Sequence, residues 1–217
     1  MPKIPTPYRI AGLLALVALL AGCGPTQFEA KSDLPSPVIE KIPVTVGVHI
    51  PREFSDKVYA EKRTGQEYSI ALGKSQSEGF TRMMQAMFTR VVMLPSAGPV
   101  SDKDIRGVLE PVLEDFAFVT PADSGTSSYA ASLRYRINLY TPQGELTDSW
   151  TFTGYGAEPA STMPGSGSDA LQAATSHAMR DAAAKLVVEF RDQAIARGLV
   201  SQLGGAVPTE VRAPTPP

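Results

Sequence analysis

Few side chains of this 217-residue sequence stand at spacings that chemistry uses. The one cysteine, Cys23, follows Leu20-Ala21-Gly22 at the end of an apolar run. With no second thiol it cannot close an intramolecular disulfide, so covalent modification is the chemistry its position suggests. Leu72-Gly73-Lys74-Ser75 looks like the end of a phosphate-binding loop, but the Walker spacing needs a glycine five residues before Gly73, where Tyr68 stands. Those residues read instead as the start of a helix. His49 and His177 have no second cysteine and no carboxylate at ligand spacing, so no metal is expected. Glu110 and Glu114 share one side of a strand. Four residues at about 3.3 Å each separate them by roughly 13 Å, beyond the about 5 to 9.5 Å of paired catalytic carboxylates. The Ser-Gly-Ser at Ser166 lacks the flanking glycines and preceding strand of a nucleophile elbow. The expectation is a protein that is not an enzyme and carries no cofactor.

Around Cys23 the pattern is more specific. Lys3 and Arg9 form a basic head with no acidic group, and Ile10–Gly22 is an uncharged stretch of 13 residues. That is short of the about 20 residues a membrane-spanning helix needs, and with small residues at its end it reads as a secretory signal peptide. The order Leu20-Ala21-Gly22-Cys23 resembles the lipobox of bacterial lipoproteins. The resemblance implies cleavage before Cys23 and a diacylglycerol on its thiol. Two or three acyl chains anchor firmly at about 0.8 kcal/mol per buried CH₂, where one chain is marginal. Gly24, standing where an aspartate commonly retains such proteins in the inner membrane, implies the outer membrane and its periplasmic face.

Without residues 1–22 the chain carries 18 Lys and Arg against 22 Asp and Glu, a formal charge of −4. No basic stripe is left for a nucleic-acid partner. The stretch Gly24–Pro37 reads as a tether, and Ser201–Pro217, with four prolines and no apolar period, reads as disordered. The expected organisation is a signal peptide (1–22), a lipidated cysteine and flexible tether (23–37), a periplasmic domain (38–198) and a disordered tail (199–217). About 160 residues can bury roughly 70 % of their extended-chain surface, enough for one core.

Within that domain, Val38–Ile50 is β-branched and reads as a strand, followed by a polar loop and a short strand at Glu67–Leu72. Phe80, Met83, Met84, Met87, Phe88 and Val91 fall on one helical stripe, and Ser75 with Glu78 suggests a capping box. Three meandering strands follow at Gly107–Val119, Tyr129–Tyr140 and Glu145–Tyr155, the last two joined by Thr141-Pro142-Gln143-Gly144, a type I turn signature. Ala131, Leu133, Tyr135, Ile137 and Leu139 alternate with Ser132, Arg134, Arg136, Asn138 and Tyr140, so one face is covered and the other is wet or meets a partner. A closing helix from Ser168 or Asp169 carries Leu171, Ala174, Ala178, Ala182, Leu186 and Phe190 on one side, the alanines allowing close approach to a sheet. The order β-β-α-β-β-β-α describes an α+β two-layer sandwich, a mostly antiparallel sheet with two helices on one face.

The methionine stripe reads as core, with a lipid groove as the alternative. Arg134 and Arg136 are the candidate partner-binding residues, suited to an acidic surface or a lipid phosphate. The layout is similar to that of auxiliary lipoproteins of ABC-type lipid transporters and to amino-terminal TolB-like domains. It covers about residues 38–198 in order and pattern and transfers no binding residue. The resemblance implies an outer-membrane adaptor or auxiliary subunit of an envelope machine, with lipid or lipopolysaccharide transport as its concrete form. The alternatives are a periplasmic lipid-binding domain and a regulator of envelope or peptidoglycan assembly. The partners expected are the membrane, through the anchor, and an envelope protein.

Overall fold

The β-branched and alternating segments do become strands. The computed structural model describes residues 25–31, 39–63, 65–161, 166–196 and 199; Cys23, the leader and the chain beyond Leu199 lie outside the described residues. In chain order the elements are β1 (Thr26–Glu29), β2 (Ile42–His49), α1 (Arg52–Ser55), β3 (Val58–Arg63), β4 (Gln66–Ala71), α2 (Gly73–Met87), β5 (Phe88–Leu94), β6 (Ile105–Val119), α3 (Pro121–Ser124), β7 (Ser128–Tyr140), β8 (Leu146–Pro159) and α4 (Ser166–Ala196). They form an α+β fold of two sheets, one of five strands in the order β5-β2-β6-β7-β8 and one of three in the order β1-β4-β3.

The β6–β7–β8 meander supplies the long antiparallel ladders. Its expected turn is present: Gly144 N–H donates to Thr141 O at 2.9 Å, and Thr141 N–H to Glu145 O at 2.8 Å. Alternation sorts the faces as read, with Ala131, Leu133, Tyr135, Ile137 and Leu139 all buried. On β2, Ile42, Val44, Val46 and Val48 add to the same core. Both α2 and α4 close that core, through Phe80, Met83, Met84 and Met87 on one and Leu171, Ala178 and Leu186 on the other. The methionine stripe is therefore core. Phe190 of α4 touches Phe88 of one edge strand, ring centroids 5.3 Å apart, and Trp150 of the other edge strand at 5.2 Å. Flat strands at about 4.8 Å spacing would hold those edges much farther apart, so the sheet curls round the helix.

Several expectations change. The helical stripe stops at Met87, and Phe88–Leu94 is a strand parallel to β2. Phe88 is already extended (φ −114°, ψ 153°), and Val91 and Val92 favour a pleated surface over a helix. The strand β2 pairs parallel with both neighbours, a pairing its local sequence does not announce. Ser75 and Glu78 form no capping box: the helix starts at Gly73 with no side-chain cap, and the buried Ser75 hydroxyl donates to Ala30 O. Glycine is required at 73 because a Cβ there would sit 2.0 Å from Ser55 O. A true capping box lies on α3, where Thr120 and Asp123 exchange hydrogen bonds. The polar loop after β2 contains α1 and β3, and part of the expected tether is strand β1, parallel to β4. Leu199, read as the first residue of the tail, is buried at 4 % exposure.

The small sheet packs on the far half of the meander: Tyr59 of β3 stacks edge-on to Phe116 at 4.9 Å, and Tyr68 of β4 lies 4.8 Å from Phe118. Phe116 and Phe118 reach that core because β6 carries a bulge between Leu113 and Asp115. Before it Leu109 and Leu113 face inward; after it the parity shifts by one, and Glu114 is the extra residue.

Candidate docking face

The outer face of the five-stranded sheet, opposite the helices, holds the sequence's candidate residues. The β7 alternation that buries Leu133 and Tyr135 turns Arg134 and Arg136 outward, as read. The structure adds what the sequence reading lacked, a shared partner. Glu114, thrown out by the bulge, sits 3.4 Å from Arg134 Nε and 3.0 Å from Arg136 Nε. Two guanidinium groups thus divide one carboxylate.

Three strands converge on Glu110 beside them. Asn138 Nδ2 donates to Glu110 Oε1 at 3.1 Å and the Tyr140 hydroxyl donates to it at 2.9 Å. His49 Nε2 of β2 stands 3.8 Å from Glu110 Oε2, while its Nδ1 is 3.3 Å from Leu94 O. Burial, and then the hydrogen bond to the Glu110 carboxylate, raise the Tyr140 phenol above its ordinary value, so it remains a donor at neutral pH. Asn138 is only 6 % exposed, yet its Oδ1 has no hydrogen-bond partner. A buried acceptor left open costs stability unless something supplies a donor. Next to this cluster His49, Pro51, Glu53, Lys57, Glu110 and Leu113 border an open depression of ≈ 460 Å³. Glu110 and Glu114 belong to separate networks.

The face is bounded on both sides. Because β5 and β6 flank β2 in the same direction, residues 95–104 must return across the sheet. They meet the hairpin turn, Val100 N–H donating to Pro142 O at 2.9 Å. At the other side α4 seals the free edge of β8 with residues four apart. His177 Nδ1 lies 3.1 Å from Ala157 O, Asp181 Oδ2 accepts from Tyr155 N–H at 2.8 Å, and Lys185 Nζ donates to Thr153 O at 2.7 Å. An edge so occupied resists pairing with a foreign strand. His177 is therefore an edge cap on β8.

The helix–sheet crevice that would carry a lipid is small. Phe54, Phe80, Met83, Phe152 and Leu186 line an apolar cavity of ≈ 30 Å³. Met84 and Met87 are fully packed, at 0 % and 1 % exposure. Among the described residues no group of three or more His, Cys, Asp or Glu side chains is placed to hold a metal ion.

Fold and face together define an α+β domain of two sheets whose outer sheet face is polar. No protein-family model matches the chain, and no curated protein matches it in sequence. Solved structures do match in fold. A Xanthomonas campestris protein of the DUF330 family aligns at a TM-score of 0.51 and 14 % identity, over 82 % of this chain and 99 % of that one. A homologue of the neuraminyllactose-binding haemagglutinin from Helicobacter pylori aligns at a TM-score of 0.50 and 11 % identity, over 80 % and 100 %. Bacterial lipoproteins are among the matches too, including rare lipoprotein B of Shewanella oneidensis at a TM-score of 0.45 and 9 % identity, over 70 % and 97 %. At these identities the likeness is one of fold.

Proposed function

We propose that this protein is a lipid-anchored envelope protein. Cys23 holds it at the outer membrane, facing the periplasm, and its domain docks another subunit of an envelope machine on the outer sheet face. Lipid or lipopolysaccharide transport is the form of machine we favour, following the resemblance of the sequence pattern to transporter auxiliary lipoproteins. The observation that carries the docking reading is the charge arrangement of the face: two guanidinium groups, Arg134 and Arg136, share the single carboxylate of Glu114. The partner that fits offers a carboxylate to the arginines. Anchoring supports such a mechanism, because confinement to one membrane raises effective concentration and lets a modest interface suffice.

The test is a photo-cross-linking residue at Thr151, exposed on β8 opposite Arg136, used in living cells. One envelope protein should be captured by the otherwise unaltered chain. In the Arg134→Glu/Arg136→Glu background its yield should fall by about tenfold or more, as for reversal of an interfacial charge pair, with the circular dichroism spectrum unchanged. Equal capture in both backgrounds would remove the arginines from the interface and overturn the docking face.

A further inference from the structure

A second surface follows from where the chain meets its anchor; it rests on the reading of Cys23 as lipidated. Fully extended, the 14 residues 24–37 would reach at most roughly 50 Å. Strand β1 removes most of it. Thr26 is already fixed opposite Tyr68 in the parallel ladder with β4, and the Gln66 side chain donates to Thr26 Oγ1 at 3.1 Å. Three residues lead from Cys23 to Thr26, a reach of at most about 11 Å.

The end of the domain at which Thr26 stands can be read from the pairing. The strands β3 and β4 join at Arg63 and Gln66, one pair of positions beyond Thr26, and their turn points back along the direction from which β1 arrives. Arg63 binds Asp123 of α3 at 2.8 Å and Phe118 O at 3.2 Å, so α3 lies at the same end. The turn Thr141–Gly144 closes the opposite end of β7, whose 13 residues span roughly 40 Å.

We propose that the end formed by the start of β1, the β3–β4 turn and α3 lies against the lipid bilayer, and that the Thr141–Gly144 turn points into the periplasm. The basic side chains of the β3–β4 hairpin are already matched, Lys62 to Glu67 at 3.2 Å and Arg63 to Glu61 at 2.7 Å. Proximity is therefore set by the short tether and not by attraction to anionic headgroups. The docking face, which runs along the strands, then stands upright on the membrane, within reach of a subunit embedded in it.

The experiment uses the full lipidated protein in phosphatidylethanolamine and phosphatidylglycerol vesicles that contain a lipid with a nitroxide contact quencher on its headgroup. A fluorophore is placed on Lys62→Cys, Ala122→Cys or Gln143→Cys. With the Cys23 sulfur in thioether linkage, the introduced thiol is the only one available. Intact mass first establishes the acyl groups on Cys23, and their absence would overturn the anchor reading itself. On lipidated protein, most of the emission should be lost at positions 62 and 122 and essentially none at 143. A flexible insert of about 20 Gly and Ser residues after Pro25, reaching roughly 25 Å, should abolish the difference. Equal quenching at all three positions without the insert would overturn the orientation while leaving the anchor intact.

Discussion

Asp181 shows how single side chains hold this molecule. Its carboxylate accepts from Lys185 Nζ at 2.7 Å and from the Tyr155 amide at 2.8 Å. Lys185 first, and the amide with it, lower its proton affinity below the ordinary aspartate value of 3.8. Glu61 is lowered in the same direction, chiefly by Arg63, and Asp123 chiefly by the Thr120 amide. A carboxyl whose folded value lies below its unfolded one contributes stability that is complete above the unfolded value and is lost as pH falls through the folded one. The protein should therefore lose stability on acidification from about pH 4 downward. Asp181→Asn should be less stable than the parent at neutral pH, with the gap closing on acidification. Urea unfolding at a series of pH values checks this, and a gap that stays constant down to pH 3 would show that Asp181 is not linked to acid unfolding. Tyr59, in contact with Glu61 on the small sheet, is pushed up to about 12 by burial and that hydrogen bond, so it plays no part in this range.

Elements meet through backbone as much as through side chains. Ala174, Ala178 and Ala182 lie over Gly154 and Gly156 of β8 so closely that a Cβ at Gly154 would be 2.1 Å from Ala178 O, and one at Gly156 2.1 Å from Ala174 O. Gly154→Ala and Gly156→Ala should each cost about 1–3 kcal/mol, the usual range for overpacking. Gly98→Ala meets nothing closer than Ser96 Oγ at 3.4 Å and should be near neutral. Shifts in the urea midpoint at unchanged slope measure all three, and equal midpoints would mean that α4 can lift without cost. The alanine stripe was legible in the sequence; its glycine counterpart, Gly-Tyr-Gly at 154–156, was visible too but meant little until the helix was placed on it. The same division holds elsewhere. The turn at Thr141–Gly144 and the alternation of β7 are local patterns, and both were readable. The bulge of β6 left a trace, the step in apolar parity from Leu113 to Phe116, but that Glu114 is the extra residue and meets both arginines depends on the ladder with β7. Strand β1 left almost none, since four residues held by a parallel ladder to β4 depend on contacts some 40 positions away. The strand character of Phe88–Leu94 was hidden because Phe88 and Val91 also fit the helical period of the preceding stripe.

At the scale of the molecule, sheet, anchor and charge point to one arrangement. In the proposed arrangement the lipid on Cys23 supplies the attachment to a chain that would carry a formal charge of −4 after cleavage. No described helix is long and apolar enough to cross a membrane. The first strand begins three residues after the cysteine; under the proposed anchoring this would keep the domain at its own membrane and would speak against a regulator that must span the periplasm to work on a distant substrate. The face bearing Arg134, Arg136, Asn138 and Glu110 is then offered to neighbours in or beside the same bilayer. Fractionation of cells making the unaltered chain or Cys23→Ala tests that arrangement most directly. The unaltered protein should remain with the outer-membrane pellet through high-salt washing, and Cys23→Ala should move to the soluble periplasmic fraction. If both chains fractionate alike, Cys23 is not the anchor, and a membrane-held docking domain is contradicted.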